Sequence, residues 1–343
     1  MNPVFQYSRI FLVGGPGGVG KTTLSAALAV ALAEGGHPTL VLTVDPAKRL
    51  AQALGLKTIE NSLTPVPLAN GKLWASQLHT DRFLDELIHR IAKDPDQEQR
   101  IFSNPIYQTL SRELGGTQEY AAMERILEFV DQSQYTKIVV DTPPTQNALD
   151  LITAPRRMFD FMDTSVLNWF SGKTSFVAGL FGRSTHLALK ALQRIFGSHF
   201  FDAFERFLKD IDGLQAGFQR RNFELMRLLR SDACAFLLTT IATEERVKEC
   251  SLVQTALTDE SIALRMILLN QFEPEPPSLT DEESRQWPRA AQWWAHLAEL
   301  HASQARARDL LLKLKTPLVT LSRLDEPPSS LTDLSSLGAQ LIE

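Results

Sequence analysis

Lys21 and Thr22 close the stretch Gly15-Pro-Gly-Gly-Val-Gly-Lys-Thr22, which has the spacing G-x-x-x-x-G-K-[ST]. That spacing suits the handling of phosphate. Glycines let successive backbone N–H groups wrap an anion, the lysine reaches the β- and γ-phosphates, and the hydroxyl ligates Mg²⁺. Gly17, Gly18, Val19, Gly20, Lys21, Thr22 and Thr23 are therefore the expected contacts to a nucleoside triphosphate. Two carboxylates stand where such a site needs them, each just after a short apolar run. Asp141 ends Lys137-Ile-Val-Val-Asp141 and is expected to hold Mg²⁺, directly or through a water. Asp45 follows Pro38-Thr-Leu-Val-Leu-Thr-Val44 and comes near the nucleotide if the two strands are neighbours. It also suits the N-cap of a helix over Ala47–Leu54, because the next residue is Pro46. Both roles can hold together. The chemistry that these residues could perform is phosphoryl transfer, which needs neutralised charge and a positioned nucleophile.

The flanks decide whether such a motif is a site. Ile10-Phe-Leu-Val13 reads as a buried strand, and Thr22 to Ala33 reads as a helix stopped by Gly35-Gly36. A strand, a glycine-rich turn and a helix put the phosphates at a helix N-terminus, where the partial charge is positive. Further strands are expected at Leu73–Leu78, Ala235–Thr240, Ile262–Leu269 and Pro317–Leu321. A polar helical region spans Asp81 to about Val130, with breaks near Pro95, Pro105 and Leu114-Gly-Gly116. From Ala154 to about Arg230 the composition turns rich in phenylalanine and poor in β-branched runs. Phe196, Phe200, Phe204, Phe207 and Ile211 recur at helical spacing, so residues 154–230 read as a helical subdomain inserted into an α/β core. A long helical stretch carrying Trp293-Trp294 precedes the last strand. The expected fold is α/β, with a mostly parallel central sheet flanked by helices. The 343 residues form a single domain with that insertion.

Composition narrows the alternatives. A formal charge of −5 argues against a dedicated nucleic-acid binder. Cys234 and Cys250 form no CxxC, which fits a reducing cytoplasm and gives no basis for a zinc site. No run approaches the roughly 20 apolar residues of a membrane span. No basic region followed by an apolar one opens the chain, so no signal peptide is expected and a strand begins almost at once.

Taken in order, these motifs resemble the ArsA-like ATPases, the group that includes the arsenite-pump ATPase and the targeting factor for tail-anchored membrane proteins. Gly14-Gly-Pro-Gly-Gly-Val-Gly-Lys-Thr-Thr23 is similar to the family's P-loop, and Asp45-Pro-Ala47 to its first switch. Gly116-Thr-Gln-Glu119 resembles the family's P-G-x-x-E segment. Asp141-Thr-Pro-Pro-Thr145 with Ala148-Leu-Asp-Leu-Ile152 resembles the second switch. The resemblance implies that Asp45 and Lys21 are catalytic, with Asp45 orienting the attacking water. It implies that Asn270 reads adenine and that a loop near Arg323–Pro327 closes over the base. It also implies Mg-ATP hydrolysis in a homodimer, or in a heterodimer with a related ATPase. Hydrolysis would be coupled to a protein partner, an apolar client or a membrane protein. Two alternatives are an ATPase subunit of an anion or metalloid efflux system and a positioning ATPase of the MinD or ParA kind.

The chain departs from the family's pattern at Pro16, where the family has a signature lysine that reaches the partner's phosphates. Lys48 and Arg49 stand where well-known members have His and Asn, so either is a candidate replacement cation. The paired cysteines of an inter-subunit zinc, expected between Pro274 and Trp287, are absent, as are the arsenite-binding cysteines.

Overall fold

The computed structural model describes residues 2–44, 49–59, 63–78, 83–92, 94–105, 107–108, 117–143, 149–150, 152–156, 203, 206–207, 209–210 and 214–342. The chain divides into two compact units. The first holds residues 1–78, 128–149 and 228–343, and the second holds 79–127 and 150–227.

In chain order the first unit begins with α1 (Pro3–Tyr7), β1 (Ile10–Gly14), α2 (Lys21–Glu34), β2 (Thr39–Thr43), α3 (Arg49–Ala53), β3 (Thr64–Val66) and β4 (Leu73–Gln77). The second supplies α4 (Phe83–Ile91), α5 (Pro95–Phe102) and most of α6 (Thr117–Asp131). After β5 (Lys137–Asp141) it supplies most of α7 (Gln215–Leu229). The first unit then resumes with β6 (Cys234–Thr240), α8 (Glu244–Asp259), β7 (Leu264–Phe272), α9 (Asp281–Gln286), α10 (Pro288–Leu312), β8 (Leu318–Ser322) and α11 (Leu331–Ile342).

The eight strands form one sheet in the order β3-β4-β2-β5-β1-β6-β7-β8. Every pairing is parallel except β3 with β4. β1, β2, β5 and β6 are buried along their whole length, as strands covered on both faces must be, and this explains their unbroken apolar runs. β3 was invisible in the sequence. Thr64-Pro-Val66 carries a proline, which a strand tolerates at a sheet edge, where no ladder partner needs its missing N–H. The expectation that a strand opens the chain is corrected by α1. Asn2 caps it through Val4 N at 3.0 Å, and Pro3 stands in its first turn.

α2 lies inside the core. Its sequence Lys-Thr-Thr-Leu-Ser-Ala-Ala-Leu-Ala-Val-Ala-Leu-Ala-Glu is apolar around the whole circumference, and residues Leu24–Ala33 are all buried. α11 packs on it. Leu334, Leu337 and Leu341 are buried, and each such leucine contributes roughly 1.5–3 kcal/mol. Gly338 makes the approach possible, because a Cβ there would fall 2.2 Å from Ala27 O. At the opposite pole of the sheet from the strand C-termini, Lys137 is buried. Its ammonium donates to the carbonyls of Phe5, Gln6 and Ser8 at 2.6, 2.9 and 2.7 Å, which docks the end of α1.

In the second unit, Pro95 is the first residue of α5 rather than a break within a helix, with Asp94 capping through Gln97 N at 2.7 Å. α6 and α7 are joined by an ion pair between the half-buried Arg221 and the buried Glu124, Nε to Oε2 at 2.6 Å, and Tyr120 donates to Glu124 Oε1 at 2.8 Å. Most of the expected helical subdomain, including Phe196, Phe200, Phe204 and Ile211, lies outside the described residues. Of the aromatic residues that are described there, Phe207 and Phe218 are buried and Phe223 is 70% exposed.

Candidate nucleotide site

β1 ends at Gly14, β6 lies on one side of it and β5 on the other, so the loop Gly15–Gly20 sits where the direction of strand progression reverses. Ligand sites of open parallel sheets lie at that crevice. The loop leads directly into α2. Gly20, the residue before the helix, has φ 91°, and no side chain caps the helix start. A Cβ on Gly20 would also lie 2.4 Å from the Asn270 amide nitrogen, so both backbone and space demand glycine. Gly18 has φ 81° as well. An uncapped N-terminus behind a loop of this shape is a ready anion site.

Lys21 is buried, and its ammonium donates to the Pro16 carbonyl at 2.8 Å across the loop. Thr22 Oγ1 donates to Asp141 Oδ2 at 2.9 Å, so the first turn of α2 and the end of β5 meet. Two further hydroxyls reach the same carboxylate. Ser25 Oγ donates to Oδ1 at 3.3 Å and Thr43 Oγ1 to Oδ2 at 3.3 Å. Sequence reasoning missed both. Ser25 lies three residues after Thr22 on the same helix face, which was a usable signal. Thr43 could be found only from register, because β2 and β5 pair with Thr43 directly opposite Asp141. Burial pushes the Asp141 carboxyl up to about 6, against the downward pull of Thr22, Lys21, Thr43 and Ser25.

Asn270, near the end of β7, donates from Nδ2 to Val19 O at 2.9 Å and so ties that strand to the loop. Beside it opens a cleft of about 300 Å³, whose lining includes Gly20, Thr23, Asn270, Arg323, Pro327 and Pro328. The structure thus brings together Gly20, Thr23 and Asn270 at the cleft, and Lys21, Thr22 and Asp141 at the loop. Val19 is buried, and Gly17 has open space around its α-carbon. Asp45, Lys48 and Thr145 lie outside the described residues. So do Gly116 and the side chains of Thr117, Gln118 and Glu119. Among the described residues no group of three or more His, Cys, Asp or Glu converges on a metal site. A magnesium ion on a nucleotide does not need one. It takes one or two protein oxygens, with phosphates and waters completing the shell. The Thr22 hydroxyl and the buried Asp141 carboxylate are hard oxygen donors in contact, and they fit that ion.

A mostly parallel sheet with a P-loop at its switch point and a carboxylate on the adjacent strand defines a P-loop NTPase. A family model described as anion-transporting ATPase matches residues 8–294, and the chain belongs to that family, the ArsA ATPases. It is 28% identical over 291 residues to ATPase GET3B of Arabidopsis thaliana, covering 80% of this chain and 66% of that protein. To ATPase GET3C of the same plant it is 28% identical over 287 residues, covering 79% and 68%. A putative arsenical pump-driving ATPase of Halobacterium salinarum is 34% identical over 173 residues, covering 48% of this chain and 26% of that protein. The chain thus spans about two thirds or less of the length of these relatives.

Proposed function

We propose that the chain is an ATP-hydrolysing switch that works as a dimer, in which hydrolysis of Mg-ATP gates the binding of a protein partner or apolar client. The observation that carries the reading is the contact between Thr22 and Asp141 at the mouth of the loop. Gly17 to Thr23 hold the triphosphate, and Lys21 leaves the Pro16 carbonyl for the phosphates. Thr22 holds Mg²⁺, with Asp141 behind it through a water. When bound, the ion neutralises charge on the phosphates and fixes their geometry. Asp45 orients the attacking water. Asn270 favours adenine over guanine. Its amide nitrogen is committed to Val19 O, so the carbonyl oxygen is the end left for a base, and adenine offers an amino donor there.

The family and the relatives named as ATPases support the hydrolysis, and the resemblance of the motifs to those of the targeting factors supports a client. An efflux subunit that captures a soft metalloid through thiolates is disfavoured. Cys234 and Cys250 are both buried, and burial pushes their thiols up to about 12 and about 11. A membrane-positioning role through the C-terminal helix is disfavoured because the apolar face of α11 packs on α2. None of the described helices is long and apolar enough to cross a membrane. A cytoplasmic location and the absence of a nucleic-acid partner remain part of the same reading.

The test is Mg²⁺-dependent ATP turnover measured across a range of protein concentrations, with GTP as comparison. Turnover per chain should rise with concentration and favour ATP, and Lys21→Ala should lower it by on the order of a hundredfold or more. Turnover independent of concentration would remove the dimer, and equal turnover in Lys21→Ala would remove the site.

A further inference from the structure

Asp141 is held from two elements at once. The first turn of α2 sends it the hydroxyl of Thr22 at 2.9 Å and, one turn further along the same face, that of Ser25 at 3.3 Å. From the neighbouring strand, Thr43 reaches Oδ2 at 3.3 Å, in the register position directly opposite Asp141. Ser25 is on one carboxylate oxygen and Thr43 on the other, so rotation about the Cβ–Cγ bond would break one contact or the other. All three groups are buried: Ser25 and Asp141 are 0% and 1% exposed, and Thr43 is 3% exposed.

The geometry points to Ser25 and Thr43 as positioning residues that fix the plane of the Asp141 carboxylate, so that its Oδ2 edge faces Thr22 and the hydrated magnesium ion of a bound nucleotide. The inference rests on the Mg-ATP reading of the site and goes one layer further out. Thr22 and Asp141 set which donors meet the ion, whereas Ser25 and Thr43 set how the carboxylate is presented. Outer-layer hydrogen bonds of this kind orient a metal's ligands, and their loss lowers metal affinity by about 10- to 100-fold in other proteins. Both side chains accept replacement without a change of volume that the core would resist. Thr43→Val keeps the branched shape on an apolar strand, and Ser25→Ala favours the helix.

The test uses the full chain and a fluorescent ribose-labelled ADP, titrated with and without Mg²⁺, and reads the Mg²⁺ concentration at half-maximal enhancement of binding. Thr43→Val and Ser25→Ala should each raise that midpoint on the order of tenfold. Binding in EDTA should be unchanged, and Thr43→Ser should restore the wild-type midpoint. Wild-type midpoints in both substituted proteins would overturn the inference while leaving the nucleotide site intact. Equal loss of binding with and without Mg²⁺ would also overturn it, since that pattern belongs to damage of the fold. Absence of any Mg²⁺ effect in the wild-type chain would instead overturn the Mg-ATP reading beneath it. If Thr43→Val does not fold, Ser25→Ala decides by the same criteria.

Discussion

Asp141 sits where its charge is poorly solvated, and the sequence could not reveal that cost. Its carboxyl ordinarily titrates near 3.8, and burial raises this to about 6 in the folded chain. The folded protein therefore binds this proton more tightly than the unfolded chain does. That preference favours folding at low pH and is lost as pH rises from about 4 through about 6. Asp141→Asn removes the ionisation. In the absence of nucleotide its stability relative to wild type should be least favourable near pH 4 and should improve through pH 7. The change should amount to about 3 kcal/mol, measured by urea unfolding at a series of pH values. A difference that stays flat with pH would show that Asp141 is not held in the way described. Lys21, Thr22 and Asp141 were legible as residues because their motifs are local. Thr43 was not, because a hydroxyl within an apolar run gains meaning only from the partner that register places opposite it, whereas Ser25 was signalled only by its helical spacing from Thr22.

At the scale of elements, α2 is the piece that the first unit is built around. It carries the phosphate loop at one end, lies buried along most of its length, and is capped on one flank by α11. Gly338 is where the fit is tightest. Alanine is the better helix former by about 1 kcal/mol, so Gly338→Ala would stabilise an isolated helix. Here the added methyl would meet Ala27 O at 2.2 Å and Ala31 Cβ at 2.8 Å. The sign should reverse, to a net loss of roughly 1–3 kcal/mol in urea unfolding. The strands of the sheet were readable because burial on both faces leaves short unbroken apolar runs between polar turns. β3 and α1 escaped because each is short, and each rests on a proline whose role depends on neighbours distant in sequence. Pro65 marks an edge and Pro3 a helix start, while Pro95, expected as a break, begins α5.

For the whole molecule, the proposed dimer calls for a cation in place of the family's lysine, which Pro16 cannot supply. Arg49 begins α3 and is exposed, so it is available to a second chain, and Lys48 precedes it in sequence. If either residue compensates across a dimer, Arg49→Ala or Lys48→Ala should lower turnover per chain by about tenfold, with little change in nucleotide affinity. Undiminished turnover in both would leave a related chain, in a heterodimer, as the source. The assignment of residues 79–127 to the second unit follows from packing, which composition does not record. One further consequence follows from the way α1 is docked. Lys137 pins its last carbonyls at the N-terminal end of β5, and the Asn2 amide donates to Ile342 O at 3.0 Å. Residues 2 and 342 therefore meet at the pole of the sheet remote from the nucleotide cleft. A label placed at residue 2 or at residue 342 would therefore sit on that side of the sheet, away from the cleft.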